Sequence, residues 1–431
     1  MDVMRPDVTR SPSRRAVARG IAALVAASAL PCPAIAQAAA RIVVIGGGFG
    51  GASCARALRK LDAKLQVTLI EPSRIFTACP FSNEVIAGLR ELPAQQFTYD
   101  GIAGEGVTVI VQAATKIDPQ ARKVGLADGG SVSYDRLVLA PGIDLRFGAL
   151  PGYDEAAVAR MPHAMKAGEQ TLLLRRQIAE MEDGGVVAIV SPANPSRCPT
   201  AQYERASLIA HALKAKKPRS KVIILDAKDS FPNQALFLAA WETLYPSMIE
   251  WVPLSKDGGV TAVDPAGMTL STDFGMHQAS VINVIPPQRA GRIAVIAGVA
   301  DRTGWCPIDP VTFESPLAPR IHVIGDAVIG GAMPKAASSA AAQGRACAAA
   351  VVALLRDAAP APPELTGICY SQLAPDYAIS IGSAYHAADG QLLEIEGSRK
   401  VSPATASPDL RAREAREADA WFARTTTEIF G

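Results

Sequence analysis

Residues 41–45 read RIVVI, an apolar run closed at once by the glycines of GGGFGG. A short run of this kind, ended by glycine and followed by a helical segment, predicts a buried strand, a tight turn and a helix. The stretch KLQVTLIEPS then predicts a second strand ending at Glu71. The pattern returns further along in GVVAIVSP, SKVIILDAKD and ASVINVIPP, three more apolar runs with polar ends. YDRLVLAPGID (134–144) and PRIHVIGDAVIG (319–330) each predict a strand running into a turn of small residues, glycine or proline. A helix is expected over roughly residues 335–356. From about residue 360 apolar and polar positions alternate as in short strands. The charged tail after Pro408, with Trp421 and Phe422, reads as an amphipathic helix.

Strands separated by helical segments predict an α/β chain. With 431 residues the chain exceeds what one hydrophobic core usually holds, and 49% hydrophobic against 19% charged residues describes a buried, globular interior. The expected organisation is two Rossmann-like domains plus a small C-terminal α+β domain. The first domain spans 37–150 and 286–358, the second 151–285, and the C-terminal domain 359–431, a candidate interface with a partner.

Residues 1–36 are expected to be a leader. A basic segment precedes a short apolar stretch, and Ala34-Ile35-Ala36 has the form of a cleavage site. Arg14-Arg15 after Ser13 matches the start of a twin-arginine export signal, so the expected location is the periplasm. The apolar stretch around Ile21 to Leu30 is too short to span a bilayer, and no later segment is expected to do so. The leader carries five Arg and two Asp, which leaves the rest of a chain of net charge +2 near −1. That balance gives no footprint for nucleic acid. Cys32 leaves with the leader, and six cysteines remain: Cys54, Cys79, Cys198, Cys306, Cys347 and Cys369. None forms a CxxC pair or a CxxCH haem site, and five scattered His suggest no metal.

Gly46, Gly48 and Gly51 fit G-x-G-x-x-G directly after the first strand. Gly46, Gly48, Phe49, Gly50 and Gly51 are therefore candidate pyrophosphate-binding residues, with amides at the next helix N-terminus binding the anion. Glu71, followed by Pro72, is placed to accept from an adenosine ribose. A glycine turn that binds nothing is the competing reading. Pro141-Gly142 and Gly325-Asp326 fit two further flavoprotein turns, which favours FAD over NAD. Asp326 is the candidate partner of a ribityl hydroxyl, or else a helix cap. Pro334 and Lys335 open a helix whose N-terminus favours negative charge on the ring.

The second unit lacks that cradle. Its loop reads SPANPSRCP, with three prolines and no glycine, so donors are missing and close backbone approach is blocked. NADH binding is not expected there. A thiol, Cys198, stands in the loop instead, either as a redox group near the flavin or as an inert buried cysteine.

From about residue 40 to the C-terminus, the stretches TLIEPS, CPFSNEVIAG, APGI, PHAMKAGEQT, RCPTAQYERAS, SKVIILD, INVIPPQRAG, GWCPID, HVIGDA and CYSQLAP resemble the flavoprotein subunit of flavocytochrome c sulfide dehydrogenase. The sulfide:quinone oxidoreductases are related. The resemblance implies a covalent bond between FAD and Cys79. It implies a redox disulfide between Cys198 and Cys369, with Cys306 as the rival partner for Cys198. It makes Glu204 the candidate acid/base, against a plain helix-surface carboxylate that Arg205 would pair. Cys54 and Cys347 read as core thiols. The implied reaction oxidises sulfide to sulfur or polysulfide and passes electrons to a c-type cytochrome in a stable heterodimer. The haem c would sit on the partner alone, docked on residues beyond 360 with Tyr370, Tyr377 and Tyr385. Three alternatives stay open: a sulfide:quinone oxidoreductase, an NADH-dependent disulfide reductase, and a non-catalytic flavin-binding partner subunit. The quinone reading calls for a membrane-binding segment, for which the tail is too short and too charged.

Overall fold

The computed structural model describes Met1 and residues 39–431, and its compact unit is Ala40–Gly431. The leader, with Arg14-Arg15, Cys32 and the cleavage pattern, lies outside the described residues. In chain order, β1 (Arg41–Ile45), α1 (Phe49–Leu61), β2 (Gln66–Ile70), α2 (Ser82–Ala87), β3 (Thr108–Ile110) and β4 (Arg136–Leu139) build the first half. β5 (Val186–Ser191), α3 (Ala201–Lys216), β6 (Lys221–Asp226), β7 (Ile249–Val252) and β8 (Val281–Val284) follow. The chain then returns through β9 (Ile321–Val323) and α4 (Ala337–Leu355). It ends in β10 (Glu364–Ala374), β11 (Tyr377–Ala388), β12 (Gln391–Glu394), β13 (Lys400–Val401) and α5 (Pro408–Phe430).

β9-β4-β1-β2-β3 form one sheet and β7-β6-β5-β8 another, with every neighbouring pair parallel. Their central strands are apolar along nearly their whole length because both faces are covered; on the first sheet helices pack against Ile42 and Val44, and the antiparallel strands of residues 114–133 pack against Val43 and Ile45. The fold is that expected from the sequence, with β9 returning from the far side of the second sheet to complete the first. β10 to β13 form a third, antiparallel sheet.

Three expectations need correction. α4 is in fact long and apolar enough to cross a membrane by length and composition. It is instead a core helix, crossing α1 so closely that a Cβ on Gly344 would lie 2.3 Å from the Gly50 carbonyl oxygen. Cys54 and Cys347 are buried in the cluster around this crossing. The first two C-terminal strands are long, not short: β10 has 11 residues and β11 has 12, while β12 and β13 are short as expected. Among the tyrosines expected at a docking face, Tyr385 is buried in the core, so it is not available to a partner. Tyr377 lies under the Arg411 guanidinium, and Tyr370 packs against Trp421.

Candidate active site

One cavity, with about 1340 Å³ of space including its open mouth, collects the C-terminal ends of three parallel strands. Its wall includes Gly48, Phe49 and Gly50 after β1, Ala140 and Gly142 after β4, and Ile324, Gly325 and Asp326 after β9. Ligands of open parallel sheets bind at such strand ends. The first residues of α4 complete this side, and its N-cap, Ala336, offers no side-chain bond to the first turn. The free N–H groups and the helix dipole therefore favour negative charge in the cavity.

The turn after β1 demands glycine at two places. Gly46 has φ +100°, and a Cβ there would lie 2.3 Å from the Ala140 carbonyl oxygen. A Cβ on Gly51 would lie 1.9 Å from the Gly46 carbonyl oxygen. Both residues shape the loop without reaching the wall. Glu71 holds the loop from behind: its carboxylate accepts from the Gly47 N–H (2.8 Å) and the Ser73 N–H (3.1 Å). A carboxylate has further lone pairs for a ribose hydroxyl. Pro72, Pro141 and Pro334 are also off the wall.

Lys335 departs from expectation as a cofactor ligand. Its ammonium donates to the Asp326 (2.9 Å) and Val328 (2.5 Å) carbonyls and stands 3.9 Å over the Trp305 ring. It pins the β9 turn, and its own carbonyl accepts the Cys198 N–H at 2.8 Å.

Two orphaned polar atoms test the fit of a flavin dinucleotide. Among the described residues, the buried Asp326 Oδ1 and Tyr99 hydroxyl have no hydrogen-bond partner. Asp326 lines the cavity at the strand end, where a ribityl hydroxyl would satisfy it. Tyr99 lies over the glycine turn: a Cβ on Gly47 would come within 2.4 Å of its hydroxyl. Buried polar groups left unpaired are costly, so a hydroxyl- and phosphate-bearing ligand fits both. Tyr99 carries no sequence motif, and only its orphaned hydroxyl reveals it.

The second sheet supplies the opposite wall. Arg197, Cys198, Ala201, Glu204 and Arg205 line it, and Cys369 and Gln372 of β10 face in beside them. Cys79 is on the same cavity, its thiol directed at the Met165 carbonyl (3.6 Å). All six cysteines of the described residues are free thiols. Cys198 and Cys369 thus share one cavity, whereas Cys306 is buried elsewhere, its thiol pushed up to about 12 by burial, with Lys335 and Asp301 nearby. Burial, then the Cys369 and Glu204 charges, raises the Cys198 thiol well above its ordinary range, against Arg197. Burial and Glu204 push Cys369 up to about 11. Cys198 has φ +50°, a left-handed conformation costly for a residue with a Cβ.

Glu204 is not a surface carboxylate: it is 8% exposed, in the first turn of α3. Burial, followed by the charge of Glu84, pushes its carboxyl up to about 8. Arg205 forms no ion pair with it. The guanidinium, 2% exposed, donates to Asn83 Oδ1 (3.0 Å), Asn283 Oδ1 (2.7 Å), and the His163 (3.2 Å) and Ala164 (2.6 Å) carbonyls. It joins α2, α3 and β8, and so aligns the wall.

At the second sheet the end of β6 is engaged by side chains. Asp226, at the end of β6, is fully buried and accepts from the Tyr203 hydroxyl, Trp251 Nε1 and Lys228 Nζ. Phe231 stacks on Tyr203 at 3.6 Å. Both carboxylate oxygens of this acid are engaged by side chains, and the aromatic stack lies beside it.

Residues 171–286 match the family model for the central part of the sulfide dehydrogenase [flavocytochrome c] flavoprotein chain. Residues 361–430 match the flavin-binding part of flavocytochrome c sulphide dehydrogenase, and 40–179 match pyridine nucleotide-disulphide oxidoreductases. The chain is 64% identical over 45 residues to the sulfide dehydrogenase [flavocytochrome c] flavoprotein chain of Chlorobaculum thiosulfatiphilum, covering 10% of this chain and 94% of that sequence. It is 23% identical over 300 residues to the mitochondrial sulfide:quinone oxidoreductase of Mus musculus, 66% of this chain and 65% of that protein. The sulfide:quinone oxidoreductase structure from Aquifex aeolicus superposes with a TM-score of 0.68 at 19% identity, over 90% of this chain and 92% of that one.

Proposed function

The chain belongs to the flavocytochrome c sulfide dehydrogenase flavoprotein family, and from that premise we propose that it oxidises sulfide through a Cys198–Cys369 disulfide beside FAD. The observation that carries the proposal is the meeting of Cys198, Cys369 and Glu204 on one cavity whose other wall is the flavin motif. Both free thiols are held protonated at neutral pH, which suits a resting disulfide attacked by a hydrosulfide anion.

In the proposed step HS⁻ bonds to one sulfur and the S–S bond breaks. Its electron pair leaves on the other cysteine as a thiolate. The hydropersulfide proton passes to the Glu204 carboxylate. Cys79 would tether FAD, and the flavin would supply the acceptor for the two electrons released when the persulfide and thiolate close the disulfide again and the outer sulfur leaves. Each HS⁻ thus yields one zero-valent sulfur, one proton and two electrons. Asp326 holds the cofactor, Arg197 stabilises the thiolate, and the proline loop closes the site to NADH.

For the acceptor we propose a c-type cytochrome on another chain, with both proteins in the periplasm. This chain has no CxxCH for its own haem. The apolar face of α5 is spent inside the fold, with Phe422, Ile429 and Phe430 buried, which favours this acceptor over a membrane quinone. The test is anaerobic reduction with sulfide, then mixing with cytochrome c or a ubiquinone analogue. Oxidation by cytochrome c supports the reading, and oxidation by quinone alone overturns it.

A further inference from the structure

A second cavity, with about 1380 Å³ of space including its open mouth, shares a wall with the first. Residues 163–166 form that wall: Ala164 and Met165 line the sulfur cavity, and His163 and Lys166 line the second one. Arg205, on the sulfur side, donates to the His163 and Ala164 carbonyls.

The second cavity holds unbalanced positive charge. It adjoins a two-stranded ribbon, Ile143–Leu145 against Gln288–Ala290, in which Asp144 and Arg289 stand directly opposite each other. Opposite residues of such a ribbon share a face, yet these two form no ion pair. Asp144 is already engaged, its Oδ1 accepting from Lys166 Nζ at 3.1 Å and its Oδ2 from the Arg292 N–H at 2.7 Å. Lys166–Asp144 is the one ion pair that residues of this cavity make among the described residues. Arg146, Arg289 and Arg292 are left without a carboxylate partner. With Glu155, four cationic side chains face two carboxylates, an excess of two positive charges.

His163 adds a hidden donor. It is 7% exposed. Its N–H donates to Gln170 Oε1 (3.0 Å), its carbonyl accepts from Arg205 and Asn283, and its Nδ1 accepts the Met165 N–H at 3.0 Å. Only Nε2 has no hydrogen-bond partner among the described residues. Because Nδ1 accepts, Nε2 carries the proton and can donate. Burial, then the Arg205, Lys166 and Arg197 charges, holds the ring down to about 4, so it is neutral at neutral pH.

We propose that this cavity binds a small dianion with oxygen or terminal sulfur acceptors, of the class of thiosulfate, sulfate and hydrogen phosphate. A concave surface of one sign of charge focuses its field and gathers anions. Guanidinium forks match the geometry of oxyanions. The excess of two charges suits a dianion better than a halide, and a donor as buried as His163 is reached by a small group and not by a broad partner surface. The wall shared with the sulfur cavity favours the sulfur members of the class. The inference stands apart from the reading of the sulfur site, since binding needs no turnover.

The experiment is titration calorimetry of the oxidised holoprotein at pH 8 and low salt with sodium thiosulfate, repeated with sulfate, phosphate and chloride. Saturable binding of one dianion per chain is expected, with chloride at least about tenfold weaker. Arg289→Gln and Arg292→Gln are each expected to weaken thiosulfate binding by about ten- to a hundredfold, the value of one hydrogen bond to a charged group. Lys123→Gln, exposed and outside the cavity, should bind as the parent does. In histidine-labelled protein the Nε2–H resonance that disappears in His163→Gln should shift with the same midpoint. Phosphate binding more tightly than thiosulfate and sulfate would keep the dianion site and assign it to phosphate compounds. Equal binding of chloride and the dianions, parent-like binding in both arginine variants, or an unmoved His163 resonance overturns the inference.

Discussion

The Ser371 hydroxyl donates to Thr200 Oγ1 at 3.3 Å, across 171 residues of sequence. Ser371 stands two residues past Cys369 on β10, and Thr200 two residues past Cys198 at the N-cap of α3. This buried contact fastens the C-terminal strand to the proline-rich loop and brings both thiols to one cavity.

Cys198→Ser and Cys369→Ser are each expected to reduce the rate of flavin bleaching by sulfide by at least about two orders of magnitude, because the two sulfurs act as a unit. Cys306→Ser, away from the cavity, is expected to leave it within a few-fold of the parent. Stopped-flow absorbance under anaerobic conditions measures all three. A dead Cys306→Ser with an active Cys369→Ser would reverse the proposed pairing.

NADH is expected to leave the flavin oxidised on the timescale on which sulfide reduces it. Asp226 is occupied by Tyr203, Trp251 and Lys228, and Phe231 covers Tyr203. The same absorbance experiment with NADH in place of sulfide checks this.

Acid precipitation is expected to leave the flavin attached to the protein. In Cys79→Ala the native protein should still bind it, since Gly46, Asp326 and the α4 N-terminus remain, but acid should release it. Flavin fluorescence of the supernatant decides the matter.

In the Cys79→Ala background, Asp326→Leu is expected to weaken FAD binding by about ten- to a hundredfold, the value of one buried hydrogen bond to a charged group. Asp326→Asn, which keeps an acceptor, should weaken it less. Titration calorimetry with FAD measures both.

Burial pushes the Glu204 carboxyl up to about 8, from an ordinary value of 4.5. Between those values the folded protein binds more protons than the unfolded chain, so this group makes stability fall as pH rises through the window. Glu204→Gln is therefore expected to gain stability relative to the parent from pH 5 to pH 9, by a few kcal/mol. Thermal unfolding at both pH values measures the difference.

Local pattern alone determined the two parallel sheets and the glycine turn. An apolar run covered on both faces, closed by glycine, has few other solutions, so β1, β5, β6 and Gly46 were legible without coordinates. The absence of glycine from SPANPSRCP was equally local, and so was the acid at Glu71. The sequence also carried Cys198, Cys369 and Glu204, but only through resemblance, since their spacing says nothing about contact.

Burial and charge at Glu204 were decided by tertiary structure. Its wall is assembled from α2, α3 and β10, and the neighbour that pushes its carboxyl upward, Glu84, is far from it in sequence. Arg205 looked like its ion-pair partner because the two are adjacent, yet adjacent helical residues point apart, and the guanidinium went to Asn83 and Asn283 instead. At Lys335, position beside a helix start suggested a ligand, and only the fold shows that the nearest carbonyls take its ammonium. α4 shows the same limit, because composition cannot distinguish a helix wrapped by protein from one wrapped by lipid. What surrounds a side chain is fixed by segments distant in sequence, and those become neighbours only when the sheets and the C-terminal strands close on one another.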